Sequence, residues 1–330
     1  MNCLCCTNRN HAGSNLILDY KNTKFVDSEI FNKRQIIICK VCGFGVLVAE
    51  PDSIEIQEFY TNKYRSIDSG HYFDFEKSGP LKNIDPRSFA QIQTGIFFVD
   101  FATNDNFLDL GPGNGNSFSM ASRLLPNPNL FGIEINQGAE RFYKDKYNVK
   151  TYRTLSRLIE QGIEFKLVLL SHSLEHFRKE ELFEYISSLK SILSTDGICI
   201  VEVPNDDFRL ERSRSRNNDA PHLLFFTLDS IKILFENHGF EVIYSKIVGV
   251  EKFPTRRNPI KKDSSKLMNL VTIKNFFLRN VIVKKLRLVV ESCIQRYYEL
   301  NYYGYSDNIL TQFIAAENKD CIRLVIRKLG

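Results

Sequence analysis

The sequence predicts an α/β protein with a mostly parallel sheet, a small metal-binding domain before the sheet and a helical insertion near the C-terminal end. Two observations carry the central part. Apolar segments alternate with helical patterns between residues 88 and 250, and the turn "GPGNG" follows the apolar segment "NFLDL". This order produces parallel strands with helices on both faces of a sheet. The third observation is a pair of Cys-x2-Cys motifs within the first 42 residues.

Composition excludes several classes of protein. The chain has 330 residues, 43% of them hydrophobic and 25% charged, which is typical of a globular protein with a sizeable core. It has no run of eighteen apolar residues, so we expect no transmembrane helix. The N-terminal "MNCLCCTNRN" lacks the basic-then-apolar order of a signal peptide, so we expect a cytoplasmic protein. A net charge of +5 does not by itself indicate nucleic-acid binding.

The N-terminal cysteines predict a structural zinc site in a zinc-ribbon-like domain, residues 1–55. The ligands are expected to be the two motif pairs, Cys3, Cys6, Cys39 and Cys42. Two such turns aim four thiolates at one point, and four protein ligands leave no position for chemistry. Gly43 suits the tight turn after the second pair, while Cys5 and His11 are weaker alternative ligands. The other cysteines lie in apolar runs and are expected in the core: Cys199, Cys293 and Cys321.

A helical linker is expected over residues 56–87. The segment "SIEIQEFYTNKYR" has a helical pattern and carries Tyr60 and Tyr64 one turn apart. A polar stretch follows, and a helix near residues 88–101 then opens the sheet domain, which we assign to residues 88–250 and 305–330.

The turn after "NFLDL" is expected to bind a ligand. Its glycines lie where open α/β sheets bind ligands, and they are Gly111, Gly113 and Gly115. Their spacing differs from the dinucleotide G-x-G-x-x-G, and no Lys-Ser/Thr pair follows, so neither NAD nor a P-loop nucleotide is expected. Asp109 would repel a pyrophosphate and suits a ligand with a positive end. Glu134, at the end of the next predicted strand, can accept both hydroxyls of a ribose.

These residues resemble the class I S-adenosylmethionine-dependent methyltransferases. "FLDLGPGNG" and Glu134 match the family's glycine motif and ribose acid, and "FKLVLLSHSLEHF", "LKSILSTDGICIVEVPN" and "FTLDSIKILFENHGFEVI" follow in the family's order. The resemblance covers about residues 88–250 and implies a Rossmann-like sheet with an antiparallel last strand. It implies S-adenosylmethionine as the cofactor, with Ser171 and His172 beside it. No acid in "YRTLSRL" matches the family's adenine-binding Asp, so a backbone group near Thr154 and Leu155 is expected to take that role.

The segment "SHSLEHF" holds the first candidate for chemistry. His172 and His176 are four residues apart with Glu175 between them, but a third metal ligand is missing and the pattern fits a loop, so we expect no metal here. Imidazole is the natural base for taking a proton from a hydroxyl or an acidified carbon during methyl transfer. We expect His176 in the active site. The alternative is a histidine that only packs against the adenosine or caps the next helix.

The second candidate is His222, which follows the polar loop "NDDFRLERSRSRNND". Loops that leave the carboxyl ends of parallel strands form the pocket of such sheets. This loop carries three arginines that can clamp a phosphate or diphosphate of a substrate: Arg212, Arg214 and Arg216. A plain solvated loop is the alternative.

A closer resemblance joins the cysteine motifs to this core. Together with "FYTNKY", "HSLEH", "EVPN" and "HLLFFT" they are similar to the zinc-containing sugar C-methyltransferases. This resemblance implies an acceptor sugar carried on a nucleoside diphosphate, in a site lined by Tyr60 or Tyr64, His176 and His222. Pro221 stands where that family has a Glu. Methylation of a carbon and of a hydroxyl therefore both stay open, as does a surface-glycan precursor as acceptor.

Residues 251–304 form a basic segment with helical periodicity. Between residues 251 and 301 twelve Lys and Arg stand against four Asp and Glu. We expect a helical insertion that covers the substrate pocket or a homodimer face. Peripheral contact with an anionic membrane is the alternative. A final hairpin-like pair, "ILTQFIAAENKDCIRLVIRK", follows.

The leading hypothesis is thus a methyltransferase for a small-molecule sugar acceptor. An RNA methyltransferase is one alternative, but "SHSLEHF" stands where many RNA N-methyltransferases have N/D-P-P-Y/F, which disfavours a nucleic-acid partner. A non-catalytic module that binds S-adenosylmethionine is the other. The intact glycine motif and Glu134 disfavour it.

Overall fold

The computed structural model describes residues 3–6, 15–20, 34–59, 85–210, 222–248 and 321–330. They belong to one compact unit. Several predictions fall on other residues: Tyr60, Tyr64, Arg212, Arg214, Arg216, Cys293 and the basic segment 251–304 all lie outside the described residues. Among the described residues, no helix is long and apolar enough to cross a bilayer.

The described helices and strands alternate as the sequence predicts. In chain order they are β1 (Asn15–Asp19), β2 (Gln35–Cys39), β3 (Gly45–Leu47), α1 (Ser53–Glu58), α2 (Pro86–Phe98), β4 (Asn106–Leu110), α3 (Asn116–Leu124), β5 (Asn129–Ile133), α4 (Gln137–Tyr147), β6 (Lys150–Tyr152), α5 (Leu155–Glu160), β7 (Phe165–Ser171), a 3₁₀ turn (Leu174–His176), α6 (Leu182–Ile192), β8 (Leu193–Pro204), β9 (Leu224–Phe225), α7 (Leu228–Asn237), β10 (Phe240–Val248) and β11 (Cys321–Lys328).

Seven strands form the large sheet, in the order β10-β11-β8-β7-β4-β5-β6. The five strands from β8 to β6 pair in parallel, and β11 pairs antiparallel with both β8 and β10. β7 reads "FKLVLLS" and is buried on both faces, as expected for a parallel strand that helices cover on each side. The predicted mostly parallel sheet with an antiparallel last strand is confirmed. Its parallel strands bring their carboxyl ends to one edge, where the glycine turn lies.

A second sheet of four strands, β1-β2-β3-β9, is antiparallel throughout. Its fourth strand comes from the segment after His222, since Gly45 and Val46 of β3 pair with Phe225 and Leu224. Residues of both sheets share one continuous apolar core. The cysteine-rich N-terminal part is therefore joined to the large sheet by backbone pairing as well as by packing. The predicted domain boundaries stay a prediction.

The helix predicted near residues 88–101 begins and ends earlier, at Pro86 and Phe98. The Asp85 carboxylate accepts a hydrogen bond from the Ser88 backbone N–H at 2.8 Å, and Pro86 occupies the first helical position. An Asp followed by Pro is a strong start signal for a helix, and it fixes this boundary. Val99 is extended and ends the helix.

Candidate active site

The glycine turn between β4 and α3 has left-handed backbone at each predicted glycine. The φ angles are +94° at Gly111, +57° at Gly113 and +72° at Gly115, a region that other residues rarely adopt. A Cβ on Gly111 would lie 2.5 Å from the Ser173 hydroxyl, whereas a Cβ on Gly113 would meet no atom of the described part of the chain within 4 Å. Gly113 therefore faces open space at the carboxyl edge of the sheet. Gly115 begins α3 without any side-chain cap for the first backbone N–H groups.

Asp109 is a buried carboxyl at the end of β4, only 3% exposed. The Ser117 hydroxyl donates a hydrogen bond to its Oδ2, while its Oδ1 is buried and has no hydrogen-bond partner among the described residues. Burial raises the pKa of Asp109 to about 7, against the opposing hydrogen bond from Ser117 and with support from the nearby Glu134 charge. A buried acceptor oxygen without a donor is costly, so this atom fits a ligand that brings a donor or a positive charge.

Glu134 follows β5, beside the glycine turn. Its Oε1 accepts a hydrogen bond from the Asn136 backbone N–H at 2.9 Å, and the Tyr143 hydroxyl lies 3.4 Å from its Oε2. The same hydroxyl donates to the carbonyl of Gly113. Tyr143 thus ties the turn to the predicted ribose acid. Tyr143 could not be selected from the sequence, because an aromatic residue in a helix is indistinguishable from an ordinary core residue.

The loop after β7 lies against the glycine turn. The Ser173 hydroxyl donates to the Leu110 carbonyl at 2.7 Å, and the Ser171 hydroxyl accepts from the Gln91 side chain at 2.8 Å. His172 has a left-handed backbone with φ +52°, which is unusual for a residue with a side chain. Its backbone N–H donates to the Glu202 carbonyl at 2.8 Å. Both predicted cofactor contacts, Ser171 and His172, therefore lie at this edge of the sheet.

His176 and His222 lie beside each other, an arrangement that the resemblance to the sugar C-methyltransferases implies. Their ring centroids are 5.1 Å apart at an interplanar angle of 63°. His222 is 8% exposed, and its ring stands between two carboxylates, with Nε2 4.0 Å from Glu175 Oε1 and Nδ1 3.9 Å from Asp206 Oδ2. Burial and the nearby His176 lower the pKa of His222 to about 3, although Glu175 opposes this shift. His222 is therefore neutral at physiological pH.

Glu175 is a buried carboxylate next to the histidines. It is 1% exposed, and its Oε1 lies 3.3 Å from His172 Nδ1. Burial alone would raise its pKa, but the contact with His172 and the charges of the surrounding imidazoles lower the pKa of Glu175 to about 2. Burial likewise opposes charge on His172, but contacts with Cys321, Glu175 and Glu202 raise its pKa well above the ordinary value. The sequence places Glu175 between two histidines but does not reveal that it is buried.

Behind His172 lies a buried ion pair between β8 and β11. Arg323 donates to Glu202 Oε2 from Nε at 2.7 Å and approaches it from Nη2 at 2.6 Å, with the two side chains 5% and 1% exposed. His172 Nε2 and Arg87 Nε each lie 3.6 Å from the other carboxylate oxygen. These cations hold the pKa of Glu202 well below its usual range despite burial. Residues 202 and 323 are directly opposite in the sheet, a pairing that spans 121 residues of sequence.

The N-terminal cysteines form a second site, apart from the sheet edge. The sulfurs of the four predicted ligands all lie within 4.8 Å of one another: Cys3, Cys6, Cys39 and Cys42. The shortest contacts are 3.5 Å between Cys3 and Cys42 and 3.8 Å between Cys6 and Cys39. A zinc tetrahedron with Zn–S bonds of about 2.3 Å has sulfur–sulfur edges of about 3.8 Å. The donor set therefore fits zinc. Gly43, with φ +77°, makes the turn after the second pair, and Cys5 lies outside the four.

Residues 86–245 match the model of a family described as "Methyltransferase domain". The match shows a methyltransferase domain in this part of the chain, and the large sheet has the mostly parallel strand order that the resemblance to the class I methyltransferases implies. The predicted methyltransferase domain is thereby confirmed. Comparison with curated proteins gives no significant match.

Solved structures with a similar fold are distant in sequence. A SAM-dependent methyltransferase from Archaeoglobus fulgidus has 16% identity, coverage of 84% of this chain and 100% of that chain, and a TM-score of 0.41. One from Thiobacillus denitrificans, in complex with S-adenosylhomocysteine, has 14% identity, coverage of 77% and 96%, and a TM-score of 0.41. The plantazolicin methyltransferase BpumL has 14% identity, coverage of 84% and 95%, and a TM-score of 0.49. Likenesses this distant carry no information on the acceptor.

Proposed function

We propose that the protein transfers the methyl group of S-adenosylmethionine to a carbon or a hydroxyl of a sugar, in a nucleotide-linked sugar or a surface-glycan precursor. The observation that carries this proposal is the pair of histidines at the carboxyl edge of the sheet, His176 and His222, with ring centroids 5.1 Å apart. A site that only aligns an amine with the methyl donor needs no base. A hydroxyl or an acidified carbon has to lose a proton, and imidazole is suited to accept it.

The cofactor would be held on the side of the glycine turn. Glu134 would accept hydrogen bonds from the ribose hydroxyls. The unpartnered Oδ1 of Asp109 would face the positive end of the cofactor. Gly113 leaves room for close approach of the ligand to the backbone. S-adenosylmethionine supplies an activated methyl group, so the chain has to align the acceptor and remove its proton.

The methyl group would come from S-adenosylmethionine, and the electron pair of the S–CH₃ bond would leave with the sulfur as a thioether. A C–CH₃ or O–CH₃ bond forms at the acceptor, and the acceptor's proton passes to an imidazole. His176 and His222 are the candidates to accept this proton, because they meet beside the loop that contacts the glycine turn. Tyr60, Tyr64 and the three loop arginines stay predicted acceptor contacts.

The cysteine cluster supports a structural zinc ion bound by its four sulfurs. Such an ion would hold β2 and β3 in place, and β3 pairs with the strand that follows His222. Zinc would therefore serve the fold near the acceptor side and not the chemistry itself. A cytoplasmic location, homodimer formation and membrane contact by the segment 251–304 stay predictions.

Calorimetric titration would test the proposal. S-adenosylhomocysteine should bind with micromolar affinity and NAD should not bind, and a panel of nucleotide sugars would then be added to the complex. Methyl transfer to one of them, followed by mass spectrometry, would support the proposal. Transfer to RNA with no transfer to any sugar would contradict it. Binding of neither cofactor nor sugar would remove the catalytic assignment.

Matched variants assign the roles. Glu134→Ala should weaken binding of S-adenosylhomocysteine strongly, whereas His176→Ala and His222→Ala should lower turnover and leave that affinity nearly unchanged. His238→Ala is the control, because His238 stacks on Phe183 away from the histidine pair. Full turnover in the His176 or His222 variant would exclude that residue from the mechanism.

A further inference from the structure

We propose that Glu175 is a positioning residue of the acceptor site, which orients the histidine pair and stabilises the imidazolium that forms when one of them accepts the acceptor's proton. This inference rests on the proposed function. It assigns a role to a buried residue of the 3₁₀ turn that carries His176. Glu175 lies among three imidazoles, those of His172, His176 and His222.

Glu175 is fixed by its backbone as well as its side chain. Its carbonyl accepts a hydrogen bond from the Leu223 N–H at 2.9 Å, so the residue after His222 is tied directly to the 3₁₀ turn that carries His176. The Leu223 carbonyl in turn accepts a hydrogen bond from the Leu47 N–H at 2.9 Å. The two histidines are thus set relative to each other through the main chain of Glu175.

The carboxylate of Glu175 is almost fully buried and accepts no regular hydrogen bond from the residues that the structure describes. Two imidazole nitrogens lie near its Oε1, His172 Nδ1 at 3.3 Å and His222 Nε2 at 4.0 Å. A buried carboxylate in this state is expensive unless positive charge stands beside it. His172 supplies that charge in the resting protein, and its left-handed backbone is the strained geometry that brings its ring there.

The histidine cluster could instead be a metal site, since single ligand atoms of Glu175, His176 and His222 lie within 4.8 Å of one another. The surroundings oppose this. The same Glu175 oxygen that faces His222 contacts His172, which is held charged between two carboxylates. A divalent cation would meet that imidazolium at short range. The cluster of Glu175 and the three histidines is therefore better suited to accept a proton than to bind a metal ion.

The charges around Glu175 fix the direction of its effect. Three imidazoles face the Glu175 carboxylate, and four charged groups contact those imidazoles or their partners. The seven residues are His172, His176, His222, Asp206, Glu202, Arg87 and Arg323. A carboxylate at 4 Å favours the protonated imidazole and so raises the pKa of the base. Removal of its charge therefore lowers the pKa of the base and weakens it. The acidic limb of the pH–rate profile should then move to lower pH.

Glu175→Gln tests this while keeping the shape of the side chain. Turnover should fall about tenfold to hundredfold, and the acidic limb should move down by about one pH unit or more. Affinity for S-adenosylhomocysteine should stay within about threefold. Glu175→Asp, which keeps the charge, should keep the acidic limb near its original position. Glu160→Gln is the control, because Glu160 is an exposed carboxylate paired with Arg157.

A second readout needs no acceptor and separates this inference from the proposed function. The chain has six histidines, so NMR titration of labelled imidazoles, assigned by single His→Gln variants, can follow each ring. In the wild type His172 should titrate well above 6.5, and in Glu175→Gln its pKa should fall by about one unit or more. If wild-type His172 titrates normally, or if Glu175→Gln keeps the wild-type rate and histidine titrations, the inference is wrong. The inference would also be wrong if the wild-type protein bound a second metal ion, besides the one at the cysteine cluster, and Glu175→Gln lost it. If the protein methylates no sugar but the pKa of His172 is raised in the wild type and falls in Glu175→Gln, only the proposed function is wrong.

Discussion

The Thr227 hydroxyl donates a hydrogen bond to the Cys42 carbonyl at 2.6 Å, and this buried contact ties the cysteine cluster to the helix that follows His222. The same hydroxyl oxygen accepts from the Ser230 N–H at 3.1 Å and so caps α7. One side chain therefore holds together the metal-binding turn and the start of a core helix.

Thr227→Val should remove both bonds without changing the shape of the residue. The free energy of unfolding should fall by about 2–3 kcal/mol, because a helix cap is lost and a buried carbonyl loses its donor. Urea denaturation would measure this. Thr154→Val is the matched control, since Thr154 precedes α5 but makes no capping hydrogen bond. A loss below about 0.5 kcal/mol in Thr227→Val would contradict the assigned role.

Cofactor affinity should depend on pH through Asp109. Its pKa is raised to about 7 by burial, so lowering the pH through 7 protonates the carboxylate and removes the charge that attracts the positive end of the cofactor. Between pH 8 and pH 6 the affinity for S-adenosylhomocysteine should fall by up to about tenfold. Calorimetry on wild type and Asp109→Asn would check this, with the variant weak and flat across the range. Asp145→Asn, on the exposed face of α4, should follow the wild type; a flat wild-type profile would exclude Asp109.

At the carboxyl edge of the large sheet, some residue positions could be predicted from the sequence and others could not. Asp109, the three glycines and Glu134 could be predicted, because their spacing is local and each is required by the backbone or by a ligand group. The meeting of His176 with His222 could be expected only through the family resemblance. Glu202 and Arg323 could not be paired in advance, because their contact depends on β11 inserting between β8 and β10, which no local pattern encodes. Nor does the sequence show that β9 completes the N-terminal sheet.

The buried ion pair of Arg323 with Glu202 should contribute more to stability than the exposed ion pair of Arg327 with Glu241, whose arginine lies on the same strand. Arg323→Met leaves Glu202 buried with His172 and Arg87 as its remaining cations among the described residues, at 3.6 Å each, and should cost about 3–5 kcal/mol of unfolding free energy. Arg327→Met removes an exposed pair with Glu241 and should cost less than about 1 kcal/mol. Adding Glu202→Gln to Arg323→Met should recover part of the loss. Equal effects of the two arginine variants in thermal or urea unfolding would count against a buried charge network.

The cysteine cluster should carry one zinc ion per chain. Cys39→Ser should release it and lower the unfolding free energy by more than ~3 kcal/mol, because metal binding stabilises only the folded site. Elemental analysis and urea denaturation would measure both effects. Cys199→Ala, a buried core cysteine on β8, should keep the zinc. Wild-type protein that stays metal-free when produced with added zinc would rule out the site.

A pair of glycines separates backbone strain from ligand contact. Gly113 and Gly162 have nearly the same left-handed φ, +57° and +63°, and a Cβ at either position would meet no atom within 4 Å in the segments that the structure describes. Gly113→Ala and Gly162→Ala should therefore lose similar amounts of stability, about 1 kcal/mol each. Only Gly113 stands in the turn beside Asp109 and Glu134, so only its variant should bind S-adenosylhomocysteine more weakly, by about tenfold or more, since a methyl group would occupy space that the ligand needs. Calorimetry of both variants checks this. Equal affinities would mean that the cofactor does not lie against the glycine turn, and the cofactor contacts proposed for Asp109 and Glu134 would fall with it.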